Sequence, residues 1–339
     1  MARFTTLGFC LVLAFATSSS LEAIAQGSMD DWALVKDAQE RFMRYDFSGA
    51  LEQLDRVDPS SDAAADGRLV RQQVQDAMAP HLFTEATHFY DTQPLQWMAQ
   101  RVGSSFWVTP RFKLALQSHR RWDGDAVVPT GTASLDARWL DPLRLQLRAE
   151  REELSITEAA IIDHILVDSA AAAAGIHGWH GWYVELRYEE RLYSDANAGR
   201  AAHAWGLAPL LHGAADLAVG YAVAYADTAN DRWDVPLQRY LPYFTPLDAW
   251  RHGPVLAAGL KMNPVTVRAS GEVSAQATET DPNSDFLGVR VLRDWFYAKA
   301  EGSAELTLGD ASVRLSHRYE HQSYYRYHET TFTLDMALP

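Results

Sequence analysis

Val265-Thr266-Val267-Arg268-Ala269-Ser270-Gly271-Glu272-Val273-Ser274-Ala275-Gln276 alternates, residue by residue, between small or apolar side chains and polar ones. A period of two is that of a β-strand, whose successive side chains leave opposite faces. The run is also about twice the five or six residues of an ordinary globular strand. A strand of roughly 9–11 residues or more suits a tilted crossing of a bilayer, one face toward lipid and the other toward an interior.

The same pattern recurs on both sides of this stretch. Leu143, Leu145, Leu147 and Ala149 alternate with Arg144, Gln146, Arg148 and Glu150. Trp182, Val184, Leu186 and Tyr188 alternate with Tyr183, Glu185, Arg187 and Glu189. Phe296, Ala298, Ala300, Gly302, Ala304 and Leu306 alternate with Tyr297, Lys299, Glu301, Ser303 and Glu305. After Pro80 the sequence predicts strands near 82–92, 96–108, 112–122, 130–140, 143–154, 164–177, 182–193, 200–211, 217–226, 250–261, 265–278, 295–308, 311–322 and 328–338. The count is about fourteen, within a range of twelve to sixteen. Every second connection is short, such as Asp141-Pro142 and Gly309-Asp310, and most of the others are longer, notably Asp227 to Ala249 and Glu279 to Asp294. Alternating short and long connections belong to a transmembrane antiparallel β-barrel with tight periplasmic turns and larger outer loops. A soluble barrel or sandwich is the competing architecture, but nothing in it requires that alternation. Trp122, Trp139, Trp182, Trp250 and Trp295 sit at strand ends, where aromatic girdles meet the two interfaces.

Composition agrees and excludes several classes. The 339 residues carry a net charge of -14 and are 47% hydrophobic. The acidic balance argues against a nucleic-acid partner, which needs a basic face. The single cysteine excludes a disulfide scaffold and a cysteine-rich zinc site. Cys10 lies in Leu7–Ala16, a ten-residue apolar run that follows Arg3 and precedes Ala23-Ile24-Ala25. That is the form of a cleaved signal peptide over residues 1–25, too short to span as a helix.

Residues 26–80 read as a periplasmic helical segment. Trp32, Leu34, Val35, Ala38 and Phe42 recur at helical spacing, Ala50, Leu51, Leu54 and Val57 form a second stripe, and a third helix is expected over 67–78. Tyr45-Asp46-Phe47-Ser48-Gly49-Ala50-Leu51 resembles the second half of a tetratricopeptide repeat. One repeat alone buries no solenoid core, so a plain amphipathic hairpin is the other reading.

The helical stretch followed by long strands resembles the outer-membrane β-barrels of tetratricopeptide-linked exopolysaccharide-export porins, of the cellulose and poly-N-acetylglucosamine export type. Three stretches carry the likeness: Phe89-Tyr90-Asp91-Thr92, Tyr193-Ser194-Asp195-Ala196-Asn197, where the group has Gly in place of Ala196, and Tyr240-Leu241-Pro242-Tyr243-Phe244-Thr245-Pro246. The closing strand alternates as outer-membrane assembly signals do but ends in Leu338-Pro339 rather than an aromatic residue. The resemblance implies the outer membrane of a Gram-negative bacterium, with outer-membrane lipid and the barrel-assembly machinery as partners and a polysaccharide as cargo.

If the apolar faces meet lipid, the polar faces line the lumen. The candidates are Arg144, Arg148, Glu150, Glu185, Arg187, Glu189, Arg268, Glu272, Lys299, Glu301, Arg314 and Arg318. Their near balance of charge suits a neutral, sugar-like cargo or an interior cross-linked by ion pairs. The long loop supplies Trp233, Tyr240, Tyr243 and Phe244 as flat faces for a gate or a cargo contact. No catalytic, metal or cofactor set is expected. The chain lacks H-E-x-x-H and G-x-S-x-G; His177-Gly178-Trp179-His180 reads as a turn, and Glu279 to Asp285 as a solvated acidic loop. His317, His321 and His328, with Glu320 or Glu329, leave a rim hydrolase as an alternative. The expectation is therefore a passive pore or export conduit. A closed structural barrel and an outer-rim hydrolase are the alternatives.

Overall fold

A computed structural model of the chain describes residues 31–43, 46–92, 95–122, 130–140, 142–154, 157–179, 181–211, 213–234, 236–237, 239–282, 291–322 and 326–338. The expected signal peptide lies outside these residues. Three helices lead the chain: α1 (Asp31–Met43), α2 (Phe47–Leu54) and α3 (Ala64–Ala77). Asp46 caps α2 by accepting the Gly49 backbone N–H at 2.9 Å, which satisfies one of the free donors at a helix start. The three apolar stripes meet in one core of Val35, Ala38, Phe47, Ala50, Leu54, Val70 and Val74.

Beyond Pro80 the chain is a closed antiparallel barrel of fourteen crossings. These are β1 (His81–Asp91), β2 (Gln96–Thr109), β3 (Phe112–Trp122), β4 (Thr130–Leu140), β5 (Leu143–Glu153), β6 (Leu166–Trp179), β7 (Trp182–Tyr193), β8 (Ala198–Leu211) and β9 (Ala215–Thr228). A loop holding the two-residue strands β10 (Trp233–Asp234) and β11 (Arg239–Tyr240) leads to β12 (Ala249–Met262). Then come β13 (Val265–Val273) continued by β14 (Gln276–Thr280), β15 (Leu292–Asp294) continued into β16 (Ala298–Leu308), β17 (Ala311–His321) and β18 (Arg326–Ala337). Each crossing pairs with its sequence neighbours, and β18 closes on β1 from His81↔Ala337 to Asp91↔Tyr327. Closure removes every sheet edge, the condition for backbone in hydrocarbon, where no water satisfies a free N–H or C=O.

The alternation read from sequence sets the two faces. Leu147 and Leu186 point outward and remain 56% and 57% exposed. Leu256, Leu315 and Phe332 are similarly bare on other strands. An apolar surface running round the barrel is what lipid covers and water does not. Among the described residues no helix is long and apolar enough to cross a membrane, so any crossing is by strands.

The quoted stretch departs from its pattern at one place. Val255 faces Glu272 while His252 faces Gln276, so β13–β14 advances four residues where β12 advances three. The extra residue is a bulge at Ser274-Ala275 and reverses the face parity beyond it. Val273 points outward as its period demands, but Thr278 shares the outward face with exposed Trp250, and Ala277 and Glu279 turn in. Gly253 permits the bulge, since a Cβ there would lie 1.9 Å from the Val273 carbonyl oxygen.

Candidate functional site

The polar faces of the strands converge inside the barrel as a series of ion pairs. Arg144 meets Asp136 at 2.5 Å, and Arg148 meets Glu150 at 2.7 Å. Glu189 lies between Arg187 at 2.8 Å and Arg191 at 2.7 Å. Glu185 accepts the Tyr183 hydroxyl at 2.9 Å. Across the ring Glu272 meets Arg251 at 2.5 Å, Lys299 meets Glu301 at 3.2 Å, and Glu305 joins Arg314 at 2.9 Å and Arg268 at 4.0 Å. Arg318 pairs with Glu320. All twelve residues read from sequence as lumen candidates thus lie on the face opposite the exposed apolar side chains; six of them pair with one another, and the other six with Asp136, Tyr183, Arg251, Glu305 and Glu320. Arg251 was not legible as a member of this set. Its strand reads as Ala, Gly and Pro, and only the register places it over the Tyr297 ring at 3.5 Å and against Glu272. Among the described residues no group of His, Cys, Asp and Glu is arranged to hold a metal ion.

The long-loop mouth is built by two of the three family-like stretches meeting. Tyr243 stacks on Tyr193 with centroids 4.4 Å apart, and its hydroxyl donates to Asp195 at 2.9 Å. Burial beside Asp195 pushes the Tyr243 phenol well above its ordinary range, so it remains a donor. Arg232 pairs with Asp195 at 2.9 Å. Buried Asn197 donates to the Asn230 carbonyl at 3.0 Å and accepts the Asn230 N–H at 3.1 Å. Thr157, which caps the short helix α4 (Glu158–Ile162), donates to the Pro242 carbonyl. On the other side Tyr240 donates to Glu279 at 3.2 Å, Arg293 bonds Glu279 at 2.6 Å, and the Arg293 guanidinium covers Trp233 at 4.4 Å. The loop is therefore tied to strands on both flanks, from β6 to β15.

Of its four candidate aromatics, Tyr240 and Tyr243 are buried and spend their ring faces within the protein. Trp233 and Phe244 are half-buried, and Phe244 packs 5.1 Å from Tyr240 and 6.2 Å from Trp295. The third family-like stretch forms the β1–β2 turn. Phe89 stacks between Trp97 at 4.8 Å and Tyr327 at 5.3 Å, and Asp91 accepts the Leu95 N–H at 2.9 Å.

The short-turn mouth carries the helices. Phe47 of α2 meets the inward-facing Trp107 edge-on at 5.0 Å, with Arg138 lying 5.5 Å from the Trp107 ring and 5.9 Å from the Phe47 ring. Arg111 donates to the Ser48 hydroxyl at 3.2 Å.

The histidines divide the rim residues differently from the sequence reading. His317, His321 and His328 face outward, while Glu320 and Glu329 face inward from the same strands, so the carboxylates are not beside the imidazoles. The side chains of Trp122, Trp139, His177 and His180, and residues 283–285 of the acidic loop, lie outside the described residues. Of the expected girdle, Trp182 and Trp250 stand outward and exposed, whereas Trp295 packs toward Phe244 and Tyr297.

A closed ring of fourteen strands, apolar outside and ion-paired inside, defines an outer-membrane-type β-barrel. The chain matches a bacterial polysaccharide outer membrane secretin with a TM-score of 0.54 at 10% identity, covering 77% of this chain and 99% of that one. The CymD monoaromatic hydrocarbon channel matches with a TM-score of 0.43 at 9% identity, over 81% of this chain and 93% of its own. A loop-deletion variant of OmpT from Vibrio cholerae matches at 0.42 and 9%, over 76% and 98%. At such identity the likeness to the secretin is one of fold alone. No family model and no curated protein matches the chain.

Proposed function

We propose that the chain is a passive channel in the outer membrane of a Gram-negative bacterium, an export conduit for a polysaccharide, with no covalent chemistry of its own. One observation carries this reading: the barrel wall is closed and apolar outside, while its inside carries arcs of charged side chains that are paired, on β4, β5 and β7 and from β12 to β17, separated by small and apolar residues such as Ala171, Ala173, Ala222 and Ala224. Paired charges offer many donors and acceptors and little net field. Such a lining solvates a neutral, hydroxyl-rich polymer without gripping it, since binding that is too strong stops transit. The separation of the rim histidines from Glu320 and Glu329 weighs against the hydrolase alternative, because an acid–base pair needs hydrogen-bond reach. The test is planar-bilayer recording of the purified chain, in which stepwise ohmic currents are expected, reduced when a neutral glucan oligomer is added. Silent membranes holding protein that still shows a heat-modifiable gel shift would establish the closed structural barrel instead.

A further inference from the structure

The membrane-facing side of the barrel is not apolar throughout. On β17, β18 and β1, at the long-loop end, the outward positions are His317, Tyr319 and His321, then Arg326 and His328, then His88 and Tyr90. His328 Nδ1 lies 3.3 Å from His317 Nε2. Tyr90 stacks on His328 at 4.6 Å and an interplanar angle of 8°, and Tyr319 sits 5.0 Å from the same ring. Thr330 bonds His317 Nδ1 at 2.9 Å, Gln96 of β2 bonds His88 at 2.7 Å, and Phe296 meets His321 edge-on at 5.2 Å. Elsewhere on this outer belt the cations have acid partners: Arg151 with Asp168 at 2.7 Å and Arg200 with Asp227 at 2.9 Å. On the outward face of β17, β18 and β1 no described residue is a carboxylate. Among the described residues the β15–β16 crossing beside β17 carries one outward carboxylate at this end, Asp294, which faces Thr278.

We infer that this patch of four histidines and Arg326 binds the phosphate group of an anionic membrane lipid at the outer interface. The inference rests on the outer-membrane orientation proposed above. The patch lies in the long-loop half of β17, β18 and β1, above the exposed outward Leu315, Phe332 and Met336 of the same wall, so its rim-ward members Tyr90, His321, Arg326 and His328 lie on the side where a headgroup would sit. Tyr90, Tyr319 and Phe296 provide the amphipathic rings favoured at that depth. The chemistry is specific to an anion. Two imidazole nitrogens 3.3 Å apart share one proton readily but resist a second, and a phosphate oxygen bridging them removes that repulsion. Arg326 adds a fixed charge with donors matched to phosphate oxygens. A protonated imidazole donates from both nitrogens and carries a positive charge, so occupancy strengthens as the surroundings acidify.

The test uses the full chain in a neutral detergent, titrated with bisphosphorylated lipid A, with phosphate-free diacylglycerol and with inorganic phosphate, at pH 5.5 and 7.5. Lipid A is expected to bind severalfold more tightly at pH 5.5, because protonated imidazoles add charge and donors toward its phosphates. Diacylglycerol should show no such dependence. The His317→Gln, His328→Gln double variant should lose the pH dependence while keeping the heat-modifiable shift. His252→Gln, an outward histidine bonded to Tyr221 on β9, should retain it. Lipid A binding that is indifferent to pH, or unchanged in the double variant, overturns the site. Inorganic phosphate that saturates it at equal concentration overturns its assignment to a lipid. None of these readings depends on conductance, so a barrel that carries no current still decides the question.

Discussion

Ala196 shows what a single position reveals. It stands where the resembled group has glycine, and its φ is +66°, a left-handed conformation costly to a residue with a Cβ. Ala196→Gly should therefore raise stability, by about 0.5–1 kcal/mol after the added freedom of the unfolded chain is subtracted. A denaturant midpoint in micelles checks this, and an unchanged or lowered midpoint would mean that the turn relaxes around alanine. Face assignment is tested the same way. Val273 points to lipid and Ser270 to the interior beside Glu301. Val273→Arg should cost about 2–4 kcal/mol near the midplane and Ser270→Arg far less; equal costs would refute the assignment. Ser274, one residue along, is not a fair inward control, because it sits in the bulge and its hydroxyl accepts the Tyr297 N–H at 3.0 Å. Glu189 is an inward carboxylate held between Arg187 and Arg191, so its removal leaves two positive charges without their partner. Glu189→Gln should shift selectivity toward anions in reversal-potential measurements. The shift should be larger at 0.1 M than at 1 M salt, where the screening length falls from about 10 to 3 Å.

At the level of elements, strands were legible because lipid on one side and water on the other impose a two-residue period over the whole crossing. The bulge at Ser274-Ala275 was not, since alanine and serine tolerate either face and no period breaks visibly. Pair partners were only half legible: the inward positions gave a near balance of the two signs, but which arginine meets which carboxylate depends on register. The loop between β9 and β12 was legible as long and aromatic, whereas its burial was not. Tyr240 and Tyr243 are consumed in tying it down, and of the four aromatics only Trp233 and Phe244 keep part of their surface open, so under the proposed export reading a cargo contact would fall to them. Deleting Leu237 to Thr245 removes the Tyr243 tie to Asp195 and the Tyr240 tie to Glu279 together, leaving Arg232 on Asp195. Conductance should rise while the heat-modifiable shift persists. Unchanged current with an intact barrel would make the loop rim packing only.

At the scale of the whole molecule, the barrel has something at each end: a tied loop at one mouth and a helical bundle at the other. The sequence separated these parts, because the period changes from about 3.6 to two at Pro80. It gave no sign that they touch, since the contacts are side-chain ones that no period signals: Phe47 with Trp107 and Arg138, and Ser48 with Arg111. Trp107 belongs to the barrel wall yet packs on the helical core. Removing it therefore tests docking without hollowing the bundle, as Phe47→Ala would. An edge-on aromatic pair contributes about 0.5–1.5 kcal/mol beyond its buried area, enough to free a small domain held by little else. In Trp107→Ala, protease should cut the segment near Ala79-Pro80 faster than in the parent, and single-channel conductance should rise as the short-turn mouth clears. Faster cleavage with unchanged conductance would mean that the helices dock beside the opening rather than across it. Unchanged cleavage would mean that the remaining contacts, Arg138 with Phe47 and Arg111 with Ser48, hold them in place.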